Sequence, residues 1–298
     1  MSIVRDEVLQ MGSEGQLVGV VSHPSMPLGL TAAAAAGAAA AGVPPSAPAC
    51  IILNAGVLHR VGPHRLHVAL ARRIAAGGLA SLRVDLGGIG DSVASSDAAS
   101  FRESAVADTR VAMTALTAAL GAQRFILFGV CSGADNSLAT ALVDDRVTAI
   151  VLVDPHTYPT RRSQLRYLRA RVAERGGARD AARWGLAVAV RRLRQLTDRL
   201  GRPADSESSS GGRERPPIEI FRSQLTALVD RGVRVLAIYS GIHGAGYNDR
   251  DQLFELFPEL RGRIDHMYFA GANHTFTELG VQAELIDAVT AWITKRFG

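Results

Sequence analysis

The segment Phe125 to Ser137, FILFGVCSGADNS, contains the residues best suited to covalent chemistry. An apolar run leads into Gly129-Val130-Cys131-Ser132-Gly133 and then into a helical pattern, which is the glycine–x–nucleophile–x–glycine arrangement of a sharp strand-to-helix turn. Such a turn crowds the positions two residues before and after its central residue, and both positions are glycine here. A thiol at a helix N-terminus ionises more easily than a free thiol. We therefore predict that Cys131 is a nucleophile and that the Ser132 amide is one oxyanion donor.

Two other interpretations of this segment remain open. Ser132 is a second candidate nucleophile, although Val130 and Ala134 at its flanking positions fit a tight turn poorly. The segment is also compatible with an ordinary strand–helix turn that carries a buried structural cysteine, which is the role we expect for Cys50.

A second loop, in Ile51 to Gly62 (IILNAGVLHRVG), ends a strand with small residues and precedes a helix. We predict that the Val57 amide is the second oxyanion donor and that Gly56 and His59 lie near the substrate; the alternative is a plain turn. After the next strand comes DLGGIGDS, residues 85–92, which lacks the G-x-x-x-x-G-K-[ST] phosphate-loop pattern. We interpret it as a structural turn and expect no nucleotide cofactor.

A general base is expected near the C-terminus. Met267 to Phe276 reads MYFAGANHTF, a strand followed by a loop that carries His274 and then by the last helix. A histidine in this place pairs with the cysteine in the chain order nucleophile, then base. His156 follows another strand end and is predicted to line the substrate pocket.

The rest of the pattern supplies the elements that would position these groups. Two runs around Gly12 to Gly15 predict a β-hairpin, and after Pro48 short apolar runs alternate with helical stretches. This alternation predicts a mostly parallel, twisted sheet with helices on both faces. About eighty residues separate the runs that end at Val153 and begin at Val233, so we predict a helical cap inserted after the sixth strand.

The expected division is a core of residues 1–155 and 231–298 with a cap of residues 156–230. Within the cap, Arg161 to Leu200 has a helical pattern, and residues 203–217 are predicted to be a flexible linker.

Composition excludes several classes of protein. The chain has 298 residues, 47% of them hydrophobic, and a formal charge of +5, so it can fill a large core and is not disordered. Its two cysteines allow neither a disulfide framework nor a zinc motif, and we expect no metal. The N-terminus does not resemble a signal peptide, and the run Thr31 to Gly42 is too short to cross a bilayer. The sequence therefore predicts a cytoplasmic protein.

These motifs together resemble the α/β-hydrolase superfamily, from about Val4 to Phe297, and in particular a bacterial branch with a cysteine elbow of the form G-x-C-S-G. The resemblance implies a triad of Cys131, His274 and an acid, with the Val57 and Ser132 amides as the oxyanion hole. The acid departs from the usual pattern, because residues 240–248 after the strand ending at Tyr239 contain no carboxylate. Asp154, directly after the preceding strand, is favoured over Asp249.

A cysteine with a histidine base predicts acyl transfer through a thioester. The first hypothesis is an ester or thioester hydrolase. The second is an acyltransferase or cyclase that acts on a carrier- or CoA-bound acyl thioester in bacterial secondary metabolism. The third is a non-hydrolytic protein built on the same fold.

The distribution of charge bears on the partner. Residues 161–202 contain thirteen arginines and three acids, a net +10, which leaves −5 for the rest of the chain. This predicts either attraction of an acyl carrier protein or a CoA thioester, or simply a solvated helix face. We expect a small-molecule ester or acyl thioester as the substrate, and neither nucleic acid nor a membrane as a partner.

Overall fold

The computed structural model describes residues 4–24, 47–94, 100–174, 213, 215–241, 244 and 246–297. Within this part of the chain, eight strands form one sheet: β1 (Asp6–Met11), β2 (Leu17–Ser22), β3 (Ala49–Ile52), β4 (Ser81–Asp85), β5 (Phe125–Val130), β6 (Val147–Val153), β7 (Arg234–Ser240) and β8 (Asp265–Phe269). The α-helices described are α1 (Leu66–Ala76), α2 (Phe101–Leu120), α3 (Ser132–Val143), α4 (Arg161–Glu174), α5 (Ile218–Asp230), α6 (Gln252–Leu256) and α7 (Leu279–Phe297).

The sheet has the strand order β1-β2-β4-β3-β5-β6-β7-β8. The first two strands form the predicted antiparallel hairpin, and β2 pairs antiparallel with β4. All remaining pairs are parallel. Because parallel strands bring their carboxyl ends to one edge, the loops after β3, β5, β6, β7 and β8 meet there, and these loops carry the predicted chemistry.

Both faces of the sheet are covered. On one face α2, α3 and α5 enclose a core that includes Leu127, Leu152 and Phe221. On the other face α1 and α7 pack over a second core that includes Phe128 and Trp292. The central strands are buried on both sides, which explains why their sequences are continuous apolar runs.

The structure differs from the predicted helices at one place. The helix expected directly after Gly62 begins at Leu66, because His64 and Arg65 have left-handed φ angles of 48° and 61°. The long helical stretch predicted from Arg161 is described as far as Glu174. Residues 175–212, which include most of the predicted linker, lie outside the described residues. Among the described helices, none is long and apolar enough to span a membrane.

Helix α5 falls within the range assigned to the cap and packs on the sheet. Its side chains Phe221, Leu225 and Leu228 are buried in the core that also contains α3 and the strands. The division of the chain into a core and a cap stays a prediction.

One buried histidine makes the stability of the fold depend on pH. His67, in the first turn of α1, is fully buried with its ring edge against Phe128, and neither ring nitrogen has a hydrogen-bond partner among the described residues. Burial, together with the charge of Arg83, lowers the pKa of His67 to about 3. Between about pH 6.5 and pH 3 the unfolded chain, in which the pKa of histidine is near 6.5, therefore binds a proton at His67 that the folded chain does not bind. The free energy of unfolding is therefore not reduced by His67 above about pH 6.5, and it decreases as the pH falls toward 3.

We therefore expect His67→Leu to flatten the acid limb of the stability profile. Between about pH 7.5 and 5 the wild type should lose roughly 2 kcal/mol more of its free energy of unfolding than the variant does. Urea titrations at both pH values measure this difference. His59→Gln, at an exposed position, is the control and should follow the wild type. Equal pH dependence of wild type and His67→Leu would contradict the prediction.

Candidate active site

Cys131 occupies a strained turn between β5 and α3. Its φ and ψ are 58° and −118°, a conformation that side-chain-bearing residues rarely adopt. Its amide donates to the Val153 carbonyl at 2.9 Å, and its own carbonyl accepts from the Ala134 amide at 3.0 Å. The neighbouring elements thus hold the backbone in this conformation, which costs on the order of 1–3 kcal/mol, and the thiol is left partly exposed.

The two glycines of the motif are required by close backbone approach. A Cβ at Gly129 would overlap the carbonyl group of Gly133, which lies directly across the turn. A Cβ at Gly133 would lie 2.5 Å from the Asn54 carbonyl oxygen in the loop after β3. The same spacing about Ser132 would put Val130 and Ala134 in these positions. The glycines therefore centre the turn on Cys131 and pack it against the β3 loop.

His274 lies in the loop between β8 and α7. Phe276, two residues further on, has a φ of 49° and is fully buried, with its ring edge against Phe269 at 5.7 Å between centroids. The Asn273 side-chain oxygen accepts from the amides of Thr275 and Thr277 at 3.2 and 3.1 Å. This anchoring fixes the loop on both sides of the imidazole.

Asp154 is the carboxylate that the structure places against His274. Its Oδ2 is 2.8 Å from His274 Nδ1, and the side chain is completely buried at the end of β6. Ser240, the last residue of β7, donates its amide to Oδ1 and its hydroxyl to Oδ2, each at 2.7 Å. Asp249 instead faces Arg166, with 3.6 Å between Oδ2 and Nε. Of the two acids considered from the sequence, Asp154 is thus the one in contact with the imidazole.

Cys131 and His274 influence each other's protonation. A hydrogen bond to His274, which outweighs the opposing effect of burial, lowers the pKa of the Cys131 thiol; the Arg213 charge and the Ser132 amide act in the same direction. The hydrogen bond to Asp154, followed by that to Cys131, raises the pKa of His274 to about 10. Since Nδ1 is engaged by Asp154, Nε2 is the nitrogen left for the thiol. The arrangement therefore favours ionisation of the thiol and protonation of the imidazole.

The other cysteine has the opposite environment. Cys50 is completely buried in β3, and burial raises its pKa to about 12. It is therefore an inert apolar side chain, as expected from the sequence.

The loop after β3 faces the start of α3 through its backbone. The Gly56 amide donates to the Ser132 hydroxyl at 2.9 Å, and the Ser132 amide points to the sulfur of Cys131. Val57, the residue predicted to supply the second oxyanion amide, has a side chain that is 85% exposed. The amides of Val57 and Ser132 are thus the candidate oxyanion donors, whereas the Gly56 amide already donates to the Ser132 hydroxyl.

The glycine-rich turn after β4 anchors this loop. Asp85 is buried and accepts from the Arg60 amide at 2.5 Å and from Asn54 Nδ2 at 3.2 Å, and the Arg60 guanidinium also contacts its carboxylate. Gly90 is required because a Cβ there would overlap the Asp85 carboxylate. The turn predicted to be structural therefore holds the candidate oxyanion loop in place through Asp85.

The remaining predicted substrate-binding residues lie in different environments. His59 is exposed beside the oxyanion loop. His156 is 5% exposed, with Nε2 at 3.1 Å from Asp135 Oδ1 and its ring edge against Phe221. It therefore lies behind the site, against Asp135, and has little surface to offer a substrate.

Sequence reasoning missed three residues of this site. Ser240 holds Asp154, while Asp135 and Arg213 form a partly buried ion pair beside Cys131. Of the three, only Asp135 could have been predicted, because a residue four positions after Cys131 on a helix lies one turn away from it. Arg213 is distant in sequence and belongs to the range predicted to be a linker. Within the described residues, no group of three or more histidine, cysteine or acidic side chains could hold a metal ion.

No protein-family model matches the sequence, and no curated protein matches it at a significant level. Solved structures do match. An α/β serine hydrolase without a lid from Xanthomonas campestris is 14% identical with a TM-score of 0.52, and 98% of this chain and 94% of that one are covered. The α/β hydrolase GrgF from Penicillium is 16% identical with a TM-score of 0.53, and 99% of each chain is covered.

A cold-adapted esterase from an Arctic intertidal metagenomic library is 12% identical with a TM-score of 0.50, and 99% of this chain and 94% of that one are covered. At such low sequence identities a structural similarity shows the fold and does not show the reaction. With its eight-stranded, mostly parallel sheet and helices on both faces, this chain has the α/β-hydrolase fold.

Proposed function

We propose that the protein is a hydrolase that cleaves a carboxylic ester or thioester through an acyl-enzyme on Cys131. The observation that carries this proposal is the connected series Cys131, His274, Asp154 and Ser240, in which each group hydrogen-bonds the next. A structural cysteine needs no such series. An ordinary strand–helix turn also needs no left-handed residue at its centre.

In the first half of the reaction the Cys131 thiolate attacks the carbonyl carbon, and the carbonyl π electrons move to oxygen. The oxyanion accepts hydrogen bonds from the Ser132 amide and from the Val57 amide in the opposite loop. Collapse of this intermediate breaks the bond to the leaving oxygen or sulfur, which takes the proton from His274 Nε2. The product is a thioester on Cys131 and a neutral His274.

In the second half His274 accepts a proton from water while the water oxygen attacks the thioester carbonyl. The carbon–sulfur bond then breaks, the acid leaves, and Cys131 returns as a thiolate beside an imidazolium. Asp154 remains ionised throughout and stabilises the charged forms of His274. An alcohol, amine or second thiol in place of water would give acyl transfer or cyclisation by the same steps.

Intact-mass spectrometry after incubation with a panel of activated esters and acyl thioesters tests this proposal. The expected result is a single acyl adduct whose mass identifies the acyl group and whose peptide contains Cys131. Addition of candidate alcohols or amines then separates hydrolysis from transfer. The absence of any adduct and any turnover across the panel would favour the non-hydrolytic alternative.

A specific observation supports an anionic acyl thioester, carried by CoA or by a carrier protein, as the donor. Helix α4 contains five arginines and one acid, Glu174. Two of the arginines, Arg162 and Arg166, contact Glu255, and the others add positive charge to the same helix. A basic surface of this kind accelerates the encounter with a phosphorylated donor.

If α4 recruits such a donor, kcat/KM for an acyl-CoA should fall severalfold as the salt concentration rises from about 50 to 500 mM. A neutral ester of the same acyl group is the matched control and should show no comparable decrease. Equal salt profiles for the two donors would assign the arginines to a solvated helix face.

A further inference from the structure

A partly buried ion pair lies beside Cys131 and takes no part in the reaction described above. Asp135, in the first turn of α3, is 7% exposed, and Arg213 contacts both of its carboxylate oxygens, one through Nε and the other through Nη2. The third nitrogen of the guanidinium, Nη1, donates to the main-chain carbonyl of Asp154 at 2.9 Å. One arginine thus joins the helix of the nucleophile to the turn that carries the acid.

Asp135 by itself would oppose the chemistry of the site. It lies on the first turn of the helix whose N-terminus carries Cys131, and its amide donates to the Cys131 carbonyl at 3.3 Å. A carboxylate at this place disfavours a neighbouring thiolate, since like charges repel more strongly in a partly buried site. Arg213 cancels that charge and adds a favourable interaction with the thiolate.

The other groups around the thiol do not compensate the charge of Asp135. His274 is the cation in direct contact, and it is itself shared with Asp154. Burial lowers the pKa of His156 to about 4, so this ring is neutral and can only donate a hydrogen bond to Asp135. Among the described residues, the charged groups that act on the Cys131 thiol are therefore His274 and Arg213. His274 contacts Asp154, and Arg213 contacts Asp135, which also contacts His156.

We propose that Arg213 is a positioning residue that keeps Cys131 in its thiolate form by neutralising Asp135, and that holds the Asp154 turn through its carbonyl. The geometry requires an arginine. A planar guanidinium contacts both carboxylate oxygens and still has a nitrogen for the Asp154 carbonyl, whereas a lysine ammonium is a single point charge. The proposal rests on the proposed role of Cys131.

The test is the pH dependence of Cys131 alkylation by iodoacetamide, read by intact mass, in wild type, Arg213→Gln, Arg213→Lys and the double variant Arg213→Gln/Asp135→Asn. In Arg213→Gln we expect the midpoint to move up by about one pH unit, so that alkylation on the acid side slows about tenfold. The double variant, which leaves no uncompensated carboxylate, should recover most of the loss. Arg213→Lys should lie between wild type and Arg213→Gln.

A merely structural arginine would change the melting temperature and leave the midpoint where it is in the wild type, and that result overturns the proposal. If Arg213→Gln does not fold, Arg213→Lys decides, and a wild-type midpoint in that variant overturns the proposal as well. Alkylation needs no substrate. The proposed function can therefore fail, with no acyl adduct found, while this profile still shifts, and the two failures are distinguishable.

Discussion

Cys131→Ala is expected to abolish acyl-adduct formation and to reduce ester turnover by about a thousandfold or more, because the only atom that can form the thioester is removed. The methyl group of alanine fits where the thiomethylene lies, and the strained φ of 58° is imposed by the surrounding hydrogen bonds in either protein. Initial rates on an activated ester, together with intact-mass detection of the adduct, measure the effect. Turnover at the wild-type rate would eliminate Cys131 as the nucleophile.

Cys131→Ser is a second test of the same site, since it shows whether the remaining residues can activate a hydroxyl nucleophile. Unlike a thiol, a serine hydroxyl does not ionise readily, so it depends on a correctly oriented base to remove its proton. Here His274 is held by Asp154, which is in turn held by two hydrogen bonds from Ser240. We therefore expect Cys131→Ser to retain activity at least about tenfold above that of Cys131→Ala. Equal activities of the two variants would indicate that the site is specific for sulfur.

Ser132→Ala is the matched control for the neighbouring hydroxyl. Its Oγ accepts from the Gly56 amide, so its loss should weaken the oxyanion loop and leave the adduct on Cys131. An adduct that disappears in Ser132→Ala and persists in Cys131→Ala would support the alternative in which Ser132 is the nucleophile.

The local features of the site could be predicted from sequence because they are imposed by sterics over a few residues. Gly129 and Gly133 are needed wherever a strand meets a helix this tightly, and the spacing is readable without a structure. The alternating apolar runs predicted a mostly parallel sheet because strands buried on both faces exclude polar side chains. The predicted fold is confirmed, and Cys131 and His274 lie together at the carboxyl edge of the sheet.

The features that sequence reasoning missed depend on contacts between distant parts of the chain. Ser240 holds Asp154 across eighty-six positions, and Arg213 reaches Asp135 across seventy-eight. Serine and arginine in loops carry no spacing signal of their own, so neither could be distinguished from its neighbours. Directly after β7, where the resemblance to the α/β hydrolases places the acid, the sequence has no carboxylate. In the structure a hydroxyl and an amide occupy that place and bind the carboxylate from β6.

Asp154→Asn is expected to slow turnover by roughly a hundredfold to ten-thousandfold, because asparagine cannot stabilise the charged form of His274 and its amide group favours the wrong tautomer. Asparagine suits the test because Asp154 has a φ of 48°, a left-handed conformation that asparagine tolerates better than most residues. It also keeps an oxygen for the Ser240 amide. The fold should therefore survive, and the loss can be attributed to the base.

The sign of the accompanying pH effect follows from the same contacts. The hydrogen bond to Asp154 is the main cause of the raised pKa of His274, so the pKa should fall in Asp154→Asn. A less charged imidazole stabilises the thiolate less, and the pKa of Cys131 should rise. The acid limb of both kcat/KM and alkylation should consequently move to higher pH. Asp249→Asn is the matched control, since Asp249 faces Arg166, and we expect less than about a twofold change in its rate. A loss in Asp249→Asn with none in Asp154→Asn would reverse the assignment of the acid.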